Sequence, residues 1–123
     1  VLEMRMTKNR KKILNVFKQT SKPLSAEDIN QYLGEFSIDI STIYRTLEYF
    51  DSNNLLLKFH LNNKSYYYLN TKDHHHYFIC TNCLNMYEVE CNLKSTINEL
   101  ENENKFIITN HEMNFYGLCN LCQ

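Results

Sequence analysis

Glycine and proline are almost missing from this chain: Gly34, Gly117 and Pro23 are all there is in 123 residues. That scarcity leaves no Gly/Ser-rich linker, and internal repeats and low-complexity tracts are absent too, so any hinge between lobes has to be short and polar. No apolar run approaches the ~18 residues that would span a bilayer. The first residues alternate polar with apolar instead of forming a signal-peptide core. A soluble, cytoplasmic protein with no membrane partner is therefore expected. Net charge is also lacking, at a formal −1, so composition alone does not announce nucleic acid. Cysteine is present, but the five residues are odd in number and four of them form two Cys-x-x-Cys pairs. That spacing argues against a disulfide framework and for thiolate–metal chemistry in a reducing compartment. With 43% apolar residues the chain can build one modest core or two small lobes. Each lobe alone would be marginal, so something must staple the smaller one.

The charge is unevenly placed. Arg5, Lys8, Arg10, Lys11, Lys12, Lys18 and Lys22 face only Glu3 in the first 22 residues, whereas Glu88, Glu90, Glu99, Glu101 and Glu103 face Lys94 further on. A basic head and an acidic tail result. In the head, Thr7 can cap a helix whose Ile13, Leu14 and Phe17 form one apolar stripe, with Lys22-Pro23 as its breaker. "SAED" offers Ser25 as N-cap with Asp28 three residues on, Ile29, Tyr32 and Leu33 supply a buried side, and Gly34 stops the helix. "DISTIYRTLEYF" starts a third helix at Asp39, with Ile43, Leu47 and Phe50 inward. That leaves Ser41, Thr42, Tyr44 and Arg45 on or near the opposite surface. The strand-like "LLLKFHL" and "SYYYLN" around "NNK" then predict a β-hairpin. Tyr66, Tyr67 and Tyr68 are read as packing within it. Three helices followed by a hairpin make a winged helix-turn-helix over residues 1–70, in which the third helix enters the major groove. Lys8, Arg10, Lys11 and Lys12 are expected to attract phosphates, and Tyr44 and Arg45, beside Ser41 and Thr42, to reach bases.

The second lobe, residues 71–123, begins within the polar hinge "NTKDH". "YFIC" and "MYEVE" read as strands, 92–104 as a helix, and "FIITNHEMNFYGLC" as one alternating strand with Thr109, His111, Met113 and Phe115 on one face. The fold class is α+β. Cys80-x-x-Cys83 and Cys119-x-x-Cys122 supply the four thiolates of a closed tetrahedral zinc shell, which has no open position and so a structural role. The 35 residues between the knuckles would tie the lobe's first strand to its last residues. An iron–sulfur cluster or a redox pair is the runner-up. The run His74-His75-His76 can feed two sites, because an extended strand turns His74 and His76 to one face and His75 to the other. His74, His76 and His111 are expected to share a regulatory ion, with Glu90, Cys91 or water as fourth ligand. His75, Glu88 and His60 are candidates for a second regulatory site. Cys91 is equally readable as a small core residue.

In order, "TKNRKKIL", "LSAEDI", "ISTIYRTL", the histidine run into "FICTNC" and "NHEMNFYGLCNLC" resemble the ferric uptake regulator family of metal-dependent repressors, over nearly the whole chain. The resemblance implies a homodimer that binds palindromic double-stranded operator DNA through the winged helix and binds metal in the second lobe. By position it makes Tyr44, Arg45 and Arg10 DNA contacts, and Cys80, Cys83, Cys119 and Cys122 structural zinc ligands. It makes His74, His76 and His111 ligands of one regulatory site and His75 and Glu88 ligands of the other. Departures are informative. Pro23-Leu24, Tyr68 and Tyr77 stand where the family commonly carries ligands of the inter-lobe site, so that site is depleted and a peroxide sensor is not expected. Lys94-Ser95 stand where a glutamate ligand is usual, so the histidine site needs a substitute. Leu84 replaces a usual glycine, and Asn85 is expected to take the turn conformation. A cysteine soon after the "EVE" strand looks more like the zinc uptake regulators, so Zn2+ is preferred as the sensed ion and Fe2+ comes second. The expected mechanism is a metal-driven population shift that sets the two recognition helices about one DNA turn (~34 Å) apart. A zinc hydrolase using the histidines, or a metallochaperone, are the rivals, although no His-Glu-x-x-His helix is present.

Overall fold

The computed structural model describes residues 5–34, 38–70, 76–109 and 111–123. The chain divides into two compact units, Val1–Thr71 and Lys72–Gln123. The "NTKDH" hinge, from residue 71 on, lies outside the described residues.

The first unit is a helical core carrying a hairpin. Helix α1 (Lys8–Lys18) begins where the Thr7 side chain accepts a hydrogen bond from the backbone N–H of Arg10 at 3.2 Å, and it buries Ile13, Val16 and Phe17 at helical spacing. It ends at Lys18, well before Pro23, so that proline is not its breaker. Helix α2 (Ala26–Leu33) opens on the full capping box: Ser25 Oγ accepts from Asp28 N at 3.2 Å and Asp28 Oδ2 from Ser25 N at 3.0 Å. Its C-cap is Gly34 at φ 53°, a left-handed position that glycine tolerates best. Tyr32, expected inside, is 54% exposed, because a two-turn helix buries only Ala26 and Ile29.

Helix α3 (Ile40–Ser52) follows, burying Ile43, Thr46, Leu47 and Phe50. Asp39 holds the N-cap position, but its carboxylate accepts from the Ser41 hydroxyl and makes no bond to the helix backbone. The hairpin pairs β1 (Leu56–Leu61) with β2 (Lys64–Leu69) antiparallel, Leu56 opposite Leu69 and Leu61 opposite Lys64. Asn62 and Asn63 make the turn, both at positive φ (52° and 62°), as the two-residue type I′ hairpin requires. Leu24 bridges Tyr67 through paired backbone bonds of 2.9 and 2.8 Å, which fastens the α1–α2 connection to the hairpin. The core joins the apolar faces of all three helices to Leu24, Leu56 and Tyr67.

In the second unit a three-stranded sheet has the order β4-β3-β5. Strand β3 (His76–Cys80) lies at its centre, antiparallel to β4 (Met86–Val89) and parallel to β5 (Asn114–Gly117). A parallel neighbour needs a crossover, and α4 (Lys94–Asn104) lies within it. The long alternating strand expected from Phe106 onward is short: among the described residues only Asn114–Gly117 pair, because β3 offers partners just from Tyr77 to Cys80. At the turn after β3, Leu84 itself takes the left-handed conformation (φ 63°), not Asn85. Forcing a residue with a Cβ there costs about 1–2 kcal/mol.

The Tyr67 ring is buried in the first unit, and its hydroxyl donates to Glu48 Oε1 of α3 at 2.6 Å. Tyr67→Phe keeps the packing and loses that bond. Urea unfolding is expected to show a loss of about 1 kcal/mol.

Candidate metal centre and nucleic-acid interface

Strand β3 carries donor side chains at both ends, His76 first and Cys80 last. Four residue steps along the extended chain set them about 13 Å apart. At the Cys80 end the turn brings in Cys83, and β5, running parallel, delivers Cys119 and Cys122 just beyond its own end. The four sulfurs lie within 4.8 Å of one another. All five cysteines are free thiols, and Cys83 Sγ stands 3.9 Å from Cys119 Sγ, far beyond disulfide length. Sulfurs about 2.3 Å from a shared tetrahedral zinc are about 3.8 Å apart, so the set fits that ion. Backbone N–H groups of Cys83 and Cys119 both point at Cys80 Sγ at 3.5 Å. They favour its thiolate and pull its pKa down to about 6. Thr81 N donates to Gly117 O at 2.8 Å, which locks the knuckle to β5.

At the His76 end a second group of donors gathers: His76, Cys91 and His111, again within 4.8 Å. His76 is only 3% exposed, and its Nε2 is 3.1 Å from His111 Nε2; Cys91 Sγ is 3.4 Å from the same His111 nitrogen. Two imidazole nitrogens on one tetrahedral zinc lie about 3.3 Å apart, and a nitrogen and a sulfur about 3.5 Å apart. The three donors therefore fit a single ion. Of the expected ligands, His74 and His75 lie outside the described residues. Glu90 is exposed and does not join the group, where Cys91 stands instead. Glu88, opposite Tyr77 on β4, is exposed as well and also lies outside the group. His60 belongs to the first unit, with Nδ1 2.9 Å from Ser65 Oγ, whereas Glu88 belongs to the second, and the third residue expected with them, His75, lies outside the described residues.

The N-terminal half of α3 presents Ser41, Tyr44 and Arg45 exposed and Thr42 half-buried, the arrangement the sequence predicts. Arg45 Nη2 donates to Thr42 Oγ1 at 3.0 Å, which aligns the guanidinium along the helix. The Tyr44 hydroxyl donates to Glu27 Oε1 of α2 at 2.6 Å; that bond pushes the phenol's pKa up and the carboxyl's down. Arg10 lies 3.8 Å over the Tyr49 ring and donates to the Arg5 carbonyl at 2.7 Å, while Lys11 is exposed. Lys58 Nζ, on the hairpin, reaches Glu48 at 3.2 Å and Asp51 at 3.6 Å. Glu27, Glu48 and Tyr49 are the residues that sequence reasoning passed over. The signal was helical periodicity: Glu48 follows Tyr44 by one turn and so shares its face.

A helical unit with a hairpin wing, followed by a small α/β unit holding two donor clusters, defines a class of metal-dependent DNA-binding regulators. The profile of the Ferric uptake regulator family matches residues 2–116, and the chain belongs to that family. It is similar to the Ferric uptake regulation protein of Bordetella parapertussis, 32% identical over 125 residues that cover 98% of this chain and 90% of that one. Among solved structures it is similar to the Vibrio cholerae ferric uptake regulator, at 29% identity and a TM-score of 0.78, covering 94% of this chain and 92% of that one. The Francisella tularensis regulator, solved with iron, is 27% identical with a TM-score of 0.79, covering 97% and 94%. The chain is thus a metal-responsive transcriptional regulator and not an enzyme, which removes the hydrolase reading. Among the described residues no helix is long and apolar enough to cross a membrane.

If the four sulfurs hold zinc, Cys119→Ser removes one equivalent of tightly bound metal. Zinc analysis of the purified variant, with a melting curve shifted well below wild type, is the expected outcome.

Proposed function

We propose that this protein is a cytoplasmic, homodimeric repressor of metal-ion uptake genes, with zinc held structurally by Cys80, Cys83, Cys119 and Cys122 and a regulatory ion held by His76 and His111. The observation that carries this reading is the unequal chemistry at the two ends of β3. Four thiolates form a closed set, whereas the other end offers two imidazoles and one sulfur. A divalent ion bound at the imidazole end would cross-link the start of β3 to the segment that leads into β5. Reciprocity then requires operator DNA to tighten ion binding by the factor by which the ion tightens DNA binding.

Recognition of double-stranded DNA is assigned to α3, with Tyr44 and Arg45 at base edges and Ser41, Thr42, Arg10 and Lys11 near phosphates. Dimerisation is assigned to the second unit, which leaves large apolar side chains exposed, Leu100, Phe106, Phe115 and Leu121 among them, with Ile107 at 88%. Covering Ile107 alone would contribute about 2 kcal/mol.

Iron as the sensed ion is supported by the curated relatives, which are named for ferric uptake. Zinc is the second reading, favoured by the place of Cys91 in the donor group. Gel shifts on the chain's own promoter region, titrated separately with Fe2+, Zn2+ and Mn2+, test both. A shift that needs metal, with the lowest half-saturation for Fe2+ or for Zn2+, selects between them; a shift indifferent to metal sinks the regulatory assignment. Arg45→Ala is expected to weaken operator binding about 10- to 100-fold, as the loss of one base-reading arginine does, without changing the bound zinc.

A further inference from the structure

By sequence alone Cys91 is equally readable as a small core residue or as a fourth ligand beside the histidines. Its position follows from the topology. Strand β4 is antiparallel to β3, so its end arrives at the start of β3, and Cys91 lies two residues beyond Val89, which pairs with His76. Strand β5 is parallel, so its beginning arrives at the same place, three residues after His111. Three separate segments thus bring three donors to one point.

The contacts at that point are over-subscribed. His111 Nε2 has His76 Nε2 at 3.1 Å and Cys91 Sγ at 3.4 Å. A ring nitrogen offers either one hydrogen or one lone pair, so it cannot pair fully with both of those neighbours at once. A cation between the three donors satisfies all of them. A cysteine acting only as small apolar filler has no reason to aim its sulfur at an imidazole nitrogen.

We propose that Cys91 is a thiolate ligand of the regulatory ion, standing in for the carboxylate that Lys94 and Ser95 do not supply. The consequence is selectivity. A sulfur donor raises affinity for borderline-soft ions such as Zn2+ and Co2+ relative to Mn2+ and Fe2+, which carboxylate oxygens suit better. The proposal rests on the assignment of His76 and His111 to the regulatory ion, and the two are separable by experiment.

Full-length protein carrying one zinc per chain in the cysteine cluster is titrated with Co2+ alone. The expected result is one further equivalent bound, with ligand-field bands and a sulfur-to-cobalt charge-transfer band in the near ultraviolet. Cys91→Ser should lose the charge-transfer band and bind Co2+ at least 10-fold more weakly, with its zinc content unchanged. Cys91→Asp, a second variant of similar size, should lower the Zn2+ over Mn2+ affinity ratio at least 10-fold. An unchanged charge-transfer band and unchanged affinity in Cys91→Ser overturn the proposal; loss of Co2+ by His111→Ala would still uphold the histidine site. Equal Co2+ binding by wild type and His111→Ala would overturn the site itself and the proposal with it.

Discussion

The second unit has almost no hydrocarbon interior, and that constraint governs the rest of the molecule. Among its described residues the buried set is His76, Ile79, Cys80 and Cys119, and α4 buries nothing. Three of those four side chains belong to the two donor groups that could hold a metal ion. The first unit, by contrast, gathers a continuous apolar cluster from three helices and the hairpin. A sheet of three short strands cannot offset its conformational entropy with one isoleucine. Coordination, whose apparent free energy in small zinc domains is on the order of 10 kcal/mol, is a term large enough to do so. The same scarcity explains why apolar side chains remain on the outside: a single copy of this unit has nowhere to put them.

In the first unit the opposite holds. Its core is sufficient, so polar contacts are free to aim the recognition helix. Glu27 takes the Tyr44 hydroxyl at the N-terminal half of α3, Tyr49 takes the Arg10 guanidinium, and Glu48 takes both Tyr67 and Lys58 from the hairpin. These partners come from α2, α1 and the wing, so each of these parts of the unit has at least one polar hold on α3. The surface ion pairs among them add little stability. Their value is directional, since they fix side chains whose job is to meet another polar surface.

Local rules made much of this readable in advance. The Thr7 cap, the Ser25–Asp28 box, the Gly34 stop and the Asn62-Asn63 turn were legible because each depends on a few consecutive residues. The four knuckle cysteines were legible because ligand spacing is itself a local pattern. What stayed hidden was set by partners distant in sequence. The length of β5 is dictated by how much of β3 is available, which the alternation from Phe106 onward cannot reveal. Asp39 spends its carboxylate on Ser41, and Leu84 accepts a left-handed conformation that Asn85 would have taken at less cost. Cys91 could be read equally as filler or ligand until the antiparallel and parallel pairings of β3 placed it beside His111.

The thiolate cluster joins the first strand of its unit to residues far downstream, and this has a consequence for how the polypeptide is made. A ribosome exposes Cys80 and Cys83 several seconds before Cys122 at ordinary elongation rates of about 5–20 residues per second. During that interval the nascent lobe owns half a coordination shell and nothing to close it. A chain cut short before Cys119 retains the first unit's residues but only two of the four sulfurs. The full set of four sulfurs thus exists only in polypeptides that carry every strand of the sheet.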